Sequence, residues 1–163
     1  MLNADTLTIT TPNDREIVIT RLFDAPRALV FKALTTPELL KRWLLGPPGW
    51  TMTVCEIAPK AGSAYRFEWR KDDGTVMGMG GVLREVIQDE RMVSTERFDT
   101  SWYPGEALIT QSLSEKDGKT TLTMTMRYES KAARDAVVQS GATAGMGMGY
   151  DRLDELLTTL DGA

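Results

Sequence analysis

Apolar residues recur at two different periods along this chain, and the period changes near residue 50. Residues 1–14 are mostly polar, with several threonines and Pro12, and read as a flexible lead-in holding one short strand at Leu7 to Thr10. Ile17, Val18 and Ile19 mark a first strand from Arg15 to Phe23. Ala25-Pro26 opens a helix, because proline is tolerated in a first helical turn. Leu29, Val30, Ala33 and Leu34 give that helix an apolar face. Thr36-Pro37-Glu38 is a second start signal, with a Thr cap, a proline and an acid in the first turn. Leu39, Leu40, Trp43 and Leu44 continue it until Gly46-Pro47-Pro48-Gly49 stops it.

From Trp50 the period is two. Trp50, Met52, Val54 and Glu56 share one face of a strand, and Tyr65, Phe67 and Trp69 share one face of the next. Asp72-Asp73-Gly74 is a hairpin loop. The strand from Thr75 to Ile87 contains Gly78, Gly80 and Gly81, which predicts a bulge or bend. Strands follow at Arg91 to Phe98, Glu106 to Ser114 and Lys119 to Tyr128. The last of these puts Leu122, Met124, Met126 and Tyr128 on one face. Hairpins without intervening helices make an antiparallel meander. Period 3.6 returns from Ser130 to Leu160, where Met146, Tyr150, Leu153, Leu157 and Leu160 form a row with Leu156 beside it. A helix of about thirty residues spans about 45 Å and must lie across something. The expectation is an α+β fold of one domain from residue 15 to 163. A curved antiparallel sheet of six to seven strands grips a long C-terminal helix, and two short helices close one end.

Composition narrows the function. The net charge is −4 and the pI about 5.0, which argues against nucleic acid as a partner. No apolar run approaches membrane-spanning length and the first residues show no basic-then-apolar signal, so no membrane insertion and a cytoplasmic location are expected. Cys55 is the one cysteine and there is no histidine, which removes internal disulfides, histidine-assisted nucleophiles and the usual zinc sites. No metal and no cofactor is expected. Acid–base chemistry falls to carboxylates, tyrosines, Lys or Arg.

The candidate binding residues are Trp43, Trp50, Glu56, Tyr65, Phe67, Trp69, Met77, Met79, Phe98, Met124, Met126 and Met146. The apolar members, with Met148, are either ordinary core or the wall of a ligand cavity. Nine methionines lean toward the cavity, because Met suits adaptable apolar surfaces. If Trp50, Met52 and Val54 face the cleft, alternation carries Glu56 there too, which makes it the candidate catalytic carboxylate; otherwise it sits at the sheet edge in water or pairs with a neighbour. Tyr65, Tyr128 and Gln111 point inward on the same logic. Arg66, Arg97 or Arg127 reaches Glu56 only if a bulge turns it. Arg42 stands at the mouth as an anion contact or a surface ion-pair partner. Trp102-Tyr103-Pro104 is a lid or a packed loop. Gly141, Gly145, Gly147 and Gly149 weaken a helix by roughly 1 kcal/mol each and mark close packing or a hinge.

Several stretches match a known family in order and spacing: residues 24–35, Arg42-Trp43, Gly46-Pro47, Thr95-Glu96, Gly118 to Thr123, Ser130 to Ala136, and Gly145-Met146 through Tyr150 to Asp154. Over Arg15 to Leu160 the chain resembles the helix-grip superfamily of START domains, the birch-pollen allergen fold and polyketide cyclases (SRPBCC). Within it, the chain resembles the solitary bacterial-type domains of the branch named after the activator of the heat-shock chaperone ATPase. Leu44 stands where that branch often has a second Trp, and Gly62-Ser63 where it often has paired glycines. The resemblance implies a cavity between sheet and helix that takes a small apolar ligand, such as a lipid, an aromatic or a polyketide-like metabolite. The alternatives it raises are a cyclase or hydrolase acting on an aromatic or lactone substrate, and a stress-response accessory with a chaperone as partner. A monomer or a homodimer fits each.

Overall fold

The computed structural model describes residues 6–101 and 103–160. Its strands are β1 (Thr8–Thr10), β2 (Glu16–Phe23), β3 (Trp50–Glu56), β4 (Ala64–Lys71), β5 (Val76–Ile87), β6 (Arg91–Phe98), β7 (Ala107–Lys116) and β8 (Lys119–Arg127). Between β2 and β3 lie α1 (Arg27–Thr35) and α2 (Pro37–Trp43), and after β8 come α3 (Lys131–Gln139) and α4 (Ala142–Thr159). One antiparallel sheet runs β1-β2-β8-β7-β6-β5-β4-β3. It has eight strands rather than six or seven, because Thr8–Thr10 pairs with β2 and extends the edge. The α+β helix-grip architecture is the expected one.

Local chemistry explains most boundaries. Pro26 is the N-cap of α1 and Pro37 the first residue of α2. Thr36 occupies the cap position of α2, but its side chain makes no capping bond, which corrects the expected role. Asp117 and Gly118 both have positive φ, the geometry a two-residue hairpin needs between β7 and β8. Gly81 lies so close to β6 that a Cβ there would collide with the Thr95 carbonyl. That contact accounts for one of the glycines inside β5.

The expected thirty-residue helix is two helices. Ser130 caps α3 by accepting the Ala133 amide at 3.0 Å. The chain then breaks at Gly141, whose φ of +80° is left-handed and ends the α-helical run. Beyond the break, Tyr150, Leu153, Leu156 and Leu157 are buried against the concave face of the sheet. Tyr150 meets Phe23 of β2 edge-on at 5.8 Å and stacks on Trp43 of α2 at 6.1 Å.

Polar anchors add direction to this packing. Along β2, Ile17, Ile19, Arg21 and Phe23 all point inward, so a cation lies in an otherwise apolar row. Arg21 donates to Asp154 at 3.1 Å and to Asp151 at 2.7 Å, both on α4. Arg152 donates to the Gly46 carbonyl at 2.6 Å, tying α4 to the loop after α2. Arg134 of α3 reaches back to the Asn13 carbonyl at 2.6 Å.

Candidate functional site

The helices do not fill the concave face. A cavity of about 590 Å3 remains between the sheet, α2 with the loop after it, and the α3–α4 break. That volume falls within the usual range for small-molecule sites. Trp43, Trp50, Tyr65, Phe67, Trp69, Met77, Met79, Phe98, Met124, Met126 and Met146 all line it. Their convergence follows from strand alternation: Tyr65, Phe67 and Trp69 share one face of β4, and their rings sit 5.3 and 6.0 Å apart in sequence. Tyr128 and Gln111 line it as well, whereas Met148 is exposed. Trp43 and Trp69 also have fixed structural tasks. The Trp43 indole donates to the Ala33 carbonyl at 3.0 Å, and the Trp69 indole to the Leu44 carbonyl at 2.7 Å.

Glu56 is not in the wall. A β-bulge between Met52 and Val54 shifts the register of β3 against β4. Before it, Met52 stands opposite Trp69 in the strand register; after it, Cys55 stands opposite Phe67 and Glu56 opposite Arg66, which turns Glu56 to the outer face, where it is exposed. One extra residue therefore reverses every later side chain. Arg66 itself pairs with Glu68 at 3.0 Å and with Asp99, not with an inward carboxylate. Cys55, now on the inner side, has its thiol pushed up to about 11, mainly by burial, so it stays protonated and unreactive at neutral pH.

The carboxylate in the cavity is Glu96. Met92, Ser94, Glu96 and Phe98 alternate inward along β6. The signal was present in the sequence, because Glu96 is two residues from Phe98 on the same strand face. Burial alone pushes its carboxyl up to about 7. Three phenols surround it: Tyr65 from β4, Tyr103 from the β6–β7 loop and Tyr128 after β8. All three are raised, by burial first and then by the negative charge of Glu96. The Tyr65 hydroxyl donates to the Thr95 carbonyl at 2.6 Å, and the Tyr128 hydroxyl faces the Met126 sulfur at 3.7 Å. Tyr103 meets Tyr128 edge-on at 5.1 Å and is buried, so it belongs to the wall; Trp102 lies outside the described residues. Among the described residues no cluster suited to a metal is present.

The family model for activator of Hsp90 ATPase homolog 1-like proteins matches residues 24–158. The chain belongs to that family. A Rhodobacter sphaeroides protein is 32% identical to this AHSA1-like domain and superposes with a TM-score of 0.90, over 96% of this chain and all (100%) of that one. A Chromobacterium violaceum protein is 25% identical at a TM-score of 0.78, covering 89% of this chain and 98% of its own. A Staphylococcus epidermidis protein solved in solution is 25% identical at 0.79, covering 94% and 96%. No curated protein matches the sequence. No described helix of the domain is long and apolar enough to cross a membrane.

The helix glycines of the AHSA1-like domain divide by position. A Cβ on Gly149 would stand 3.4 Å from the Trp43 carbonyl, so this glycine allows α2 and α4 to approach. At Gly145 it would stand 3.5 Å from Pro47, an ordinary contact at the rim of the cavity. Gly145→Ala is therefore expected to stabilise the protein by about 1 kcal/mol in denaturant titration. Ligand association rates measured on the same variant decide the hinge: a slower rate identifies one, and an unchanged rate leaves α4 a rigid wall.

Proposed function

We propose that this AHSA1-like domain binds a small, largely apolar molecule between its sheet and its C-terminal helices. The observation that carries the reading is the 590 Å3 cavity, whose wall is dominated by aromatic and methionine side chains. A core serving stability alone would be close-packed. The test is native mass spectrometry of the purified protein together with displacement of an environment-sensitive naphthalene dye. The expected result is a co-purified small mass, or a dye bound with a stoichiometry near one. Met124→Trp, which fills the cavity, is expected to weaken the dye about tenfold or more. A dye that does not bind, or that binds the filled variant equally, overturns the reading.

Acid–base catalysis on an aromatic or lactone substrate is the second reading, and Glu96 supports it where Glu56 does not. A carboxyl near 7 in an apolar site is suited to donating or accepting a proton at neutral pH. Its test is turnover of aryl esters and lactones, with loss of about a hundredfold in Glu96→Gln. A co-chaperone role is supported by the family description alone.

A further inference from the structure

The polar end of the cavity specifies more than an apolar occupant. Among the described wall residues, Glu96 is the single Asp, Glu, Lys or Arg. It forms no hydrogen bond or ion pair with any described residue, and burial is the one influence on its carboxyl. This is unlike the other inward charges of the fold. Arg21 is held by Asp151 and Asp154 and is not part of the wall. Arg134 is held by backbone carbonyls and Asp135.

The groups facing Glu96 do not compensate its charge. Tyr65, Tyr103 and Tyr128 are the titratable ones, and each stays protonated at neutral pH. The Tyr65 proton is already committed to the Thr95 carbonyl. The register of β7 puts Ala107 opposite Glu96, and elsewhere the wall takes Ile109 and Gln111 from β7, Met79 from β5, and Val137 and the cap residue Ser140 from α3, none of them charged. Tyr150 of α4 lies under the influence of Arg21 instead. At the far rim, Lys71 sits 6.0 Å from the Trp50 ring and is exposed. A lone carboxylate in an apolar cavity is costly unless something pairs with it.

Resting on the proposed ligand-binding reading, we infer that the ligand carries one basic nitrogen on an apolar, ring-sized body, with the ammonium on Glu96. The ammonium supplies the positive charge that the wall lacks, together with donors aimed at the carboxylate. A carboxylate-bearing ligand meets repulsion there, and a neutral one leaves Glu96 unpaired. The rings of Tyr65, Phe67 and Trp69 add a surface that favours a cation near its aromatic neighbours.

Three isosteric probes test this: 2-naphthylmethylamine, 2-naphthylmethanol and 2-naphthoic acid, titrated calorimetrically into the intact protein. At about pH 8 the amine is expected to bind roughly ten- to a hundredfold more tightly than the alcohol, and the acid least of all. The amine's advantage shrinks toward about pH 5, where Glu96 is protonated before binding. Near pH 7, titration in two buffers of different ionisation enthalpy is expected to show a fraction of a proton released per amine bound. In Glu96→Gln the amine-to-alcohol ratio falls to within about threefold of one. Glu56→Gln, the same charge change outside the cavity, keeps the native ratio. A native ratio near one, a ratio that survives Glu96→Gln, or tighter binding of the acid overturns the inference while leaving a ligand cavity. Failure of all three probes and of the dye overturns the cavity reading as well.

Discussion

Asp154→Ala is expected to lose about 3–5 kcal/mol of stability in urea titration, the largest effect of any single change considered for this domain. The Asp154 side chain is 3% exposed and the Arg21 side chain 0%, so removing the carboxylate leaves a guanidinium deep inside the protein. Asp151, also bonded to Arg21, is 51% exposed, so water screens much of its charge. Asp151→Ala is accordingly expected to cost about 1 kcal/mol or less. The pair need not be a net source of stability, because both ions were taken from water to form it. Replacing both together, Arg21→Met with Asp154→Leu, is expected to recover most of the loss. An Asp154→Ala protein within about 1 kcal/mol of the parent would show that Arg21 finds water, and that the cluster does not clamp α4 to β2.

Glu96→Gln is expected to be more stable than the parent at about pH 8, by about 1–3 kcal/mol, and to lose that advantage near pH 4. The folded carboxyl lies near 7 against an ordinary value of 4.5. Below both values each state holds the proton, so Glu96 contributes no pH dependence. As pH rises from about 4.5 to 7 the unfolded chain releases the proton while the folded chain keeps it, and stability falls; above 7 the penalty is constant. Gln cannot titrate and escapes the decline, although its buried amide offsets part of the gain. Asp99 beside Arg66, and Asp135 beside Lys131 and Arg134, are held below the usual carboxylate range and add the opposite slope. They are common to both proteins, so the difference between the two melting curves isolates Glu96. Equal stability at pH 8 would mean the carboxylate is solvated in place. Such a result would also remove the reason for Glu96 to recruit a cation.

The two effects belong to opposite ends of the same architecture. Arg21 and Asp154 are a paired charge that holds the C-terminal half of α4 against β2. Glu96 is an unpaired charge left at the other side of the space that this clamp and the α3–α4 break keep open. A helix packed flush along its whole length would close the cavity. The turn at Gly141 separates the segment that packs from the segment that lines the opening.

Most of the fold was legible along the chain because its signals are local. Alternation identified β3 to β8, the prolines started α1 and α2, and the Tyr150-to-Leu157 row identified the packed part of α4. The same alternation identified the apolar wall, since a strand with one buried face presents the residues of that face together. Other features needed the folded chain. The bulge in β3 that turns Glu56 outward arises from how that strand pairs with β4, and no feature within seven residues announces it. The spacing of β2 does not single out Arg21; its buried partner Asp154 lies 133 positions away, and only the packing of α4 brings them together. Glu96 lay on a readable face, but its importance comes from what does not surround it. Sequence therefore determined most of the elements, the inner faces of the regular strands and the family, because spacing encodes them; the α3–α4 break and the face of β3 beyond its bulge were not among these. Tertiary structure decided which carboxylate is inside and which is paired, because desolvation and pairing depend on neighbours contributed by distant strands and helices.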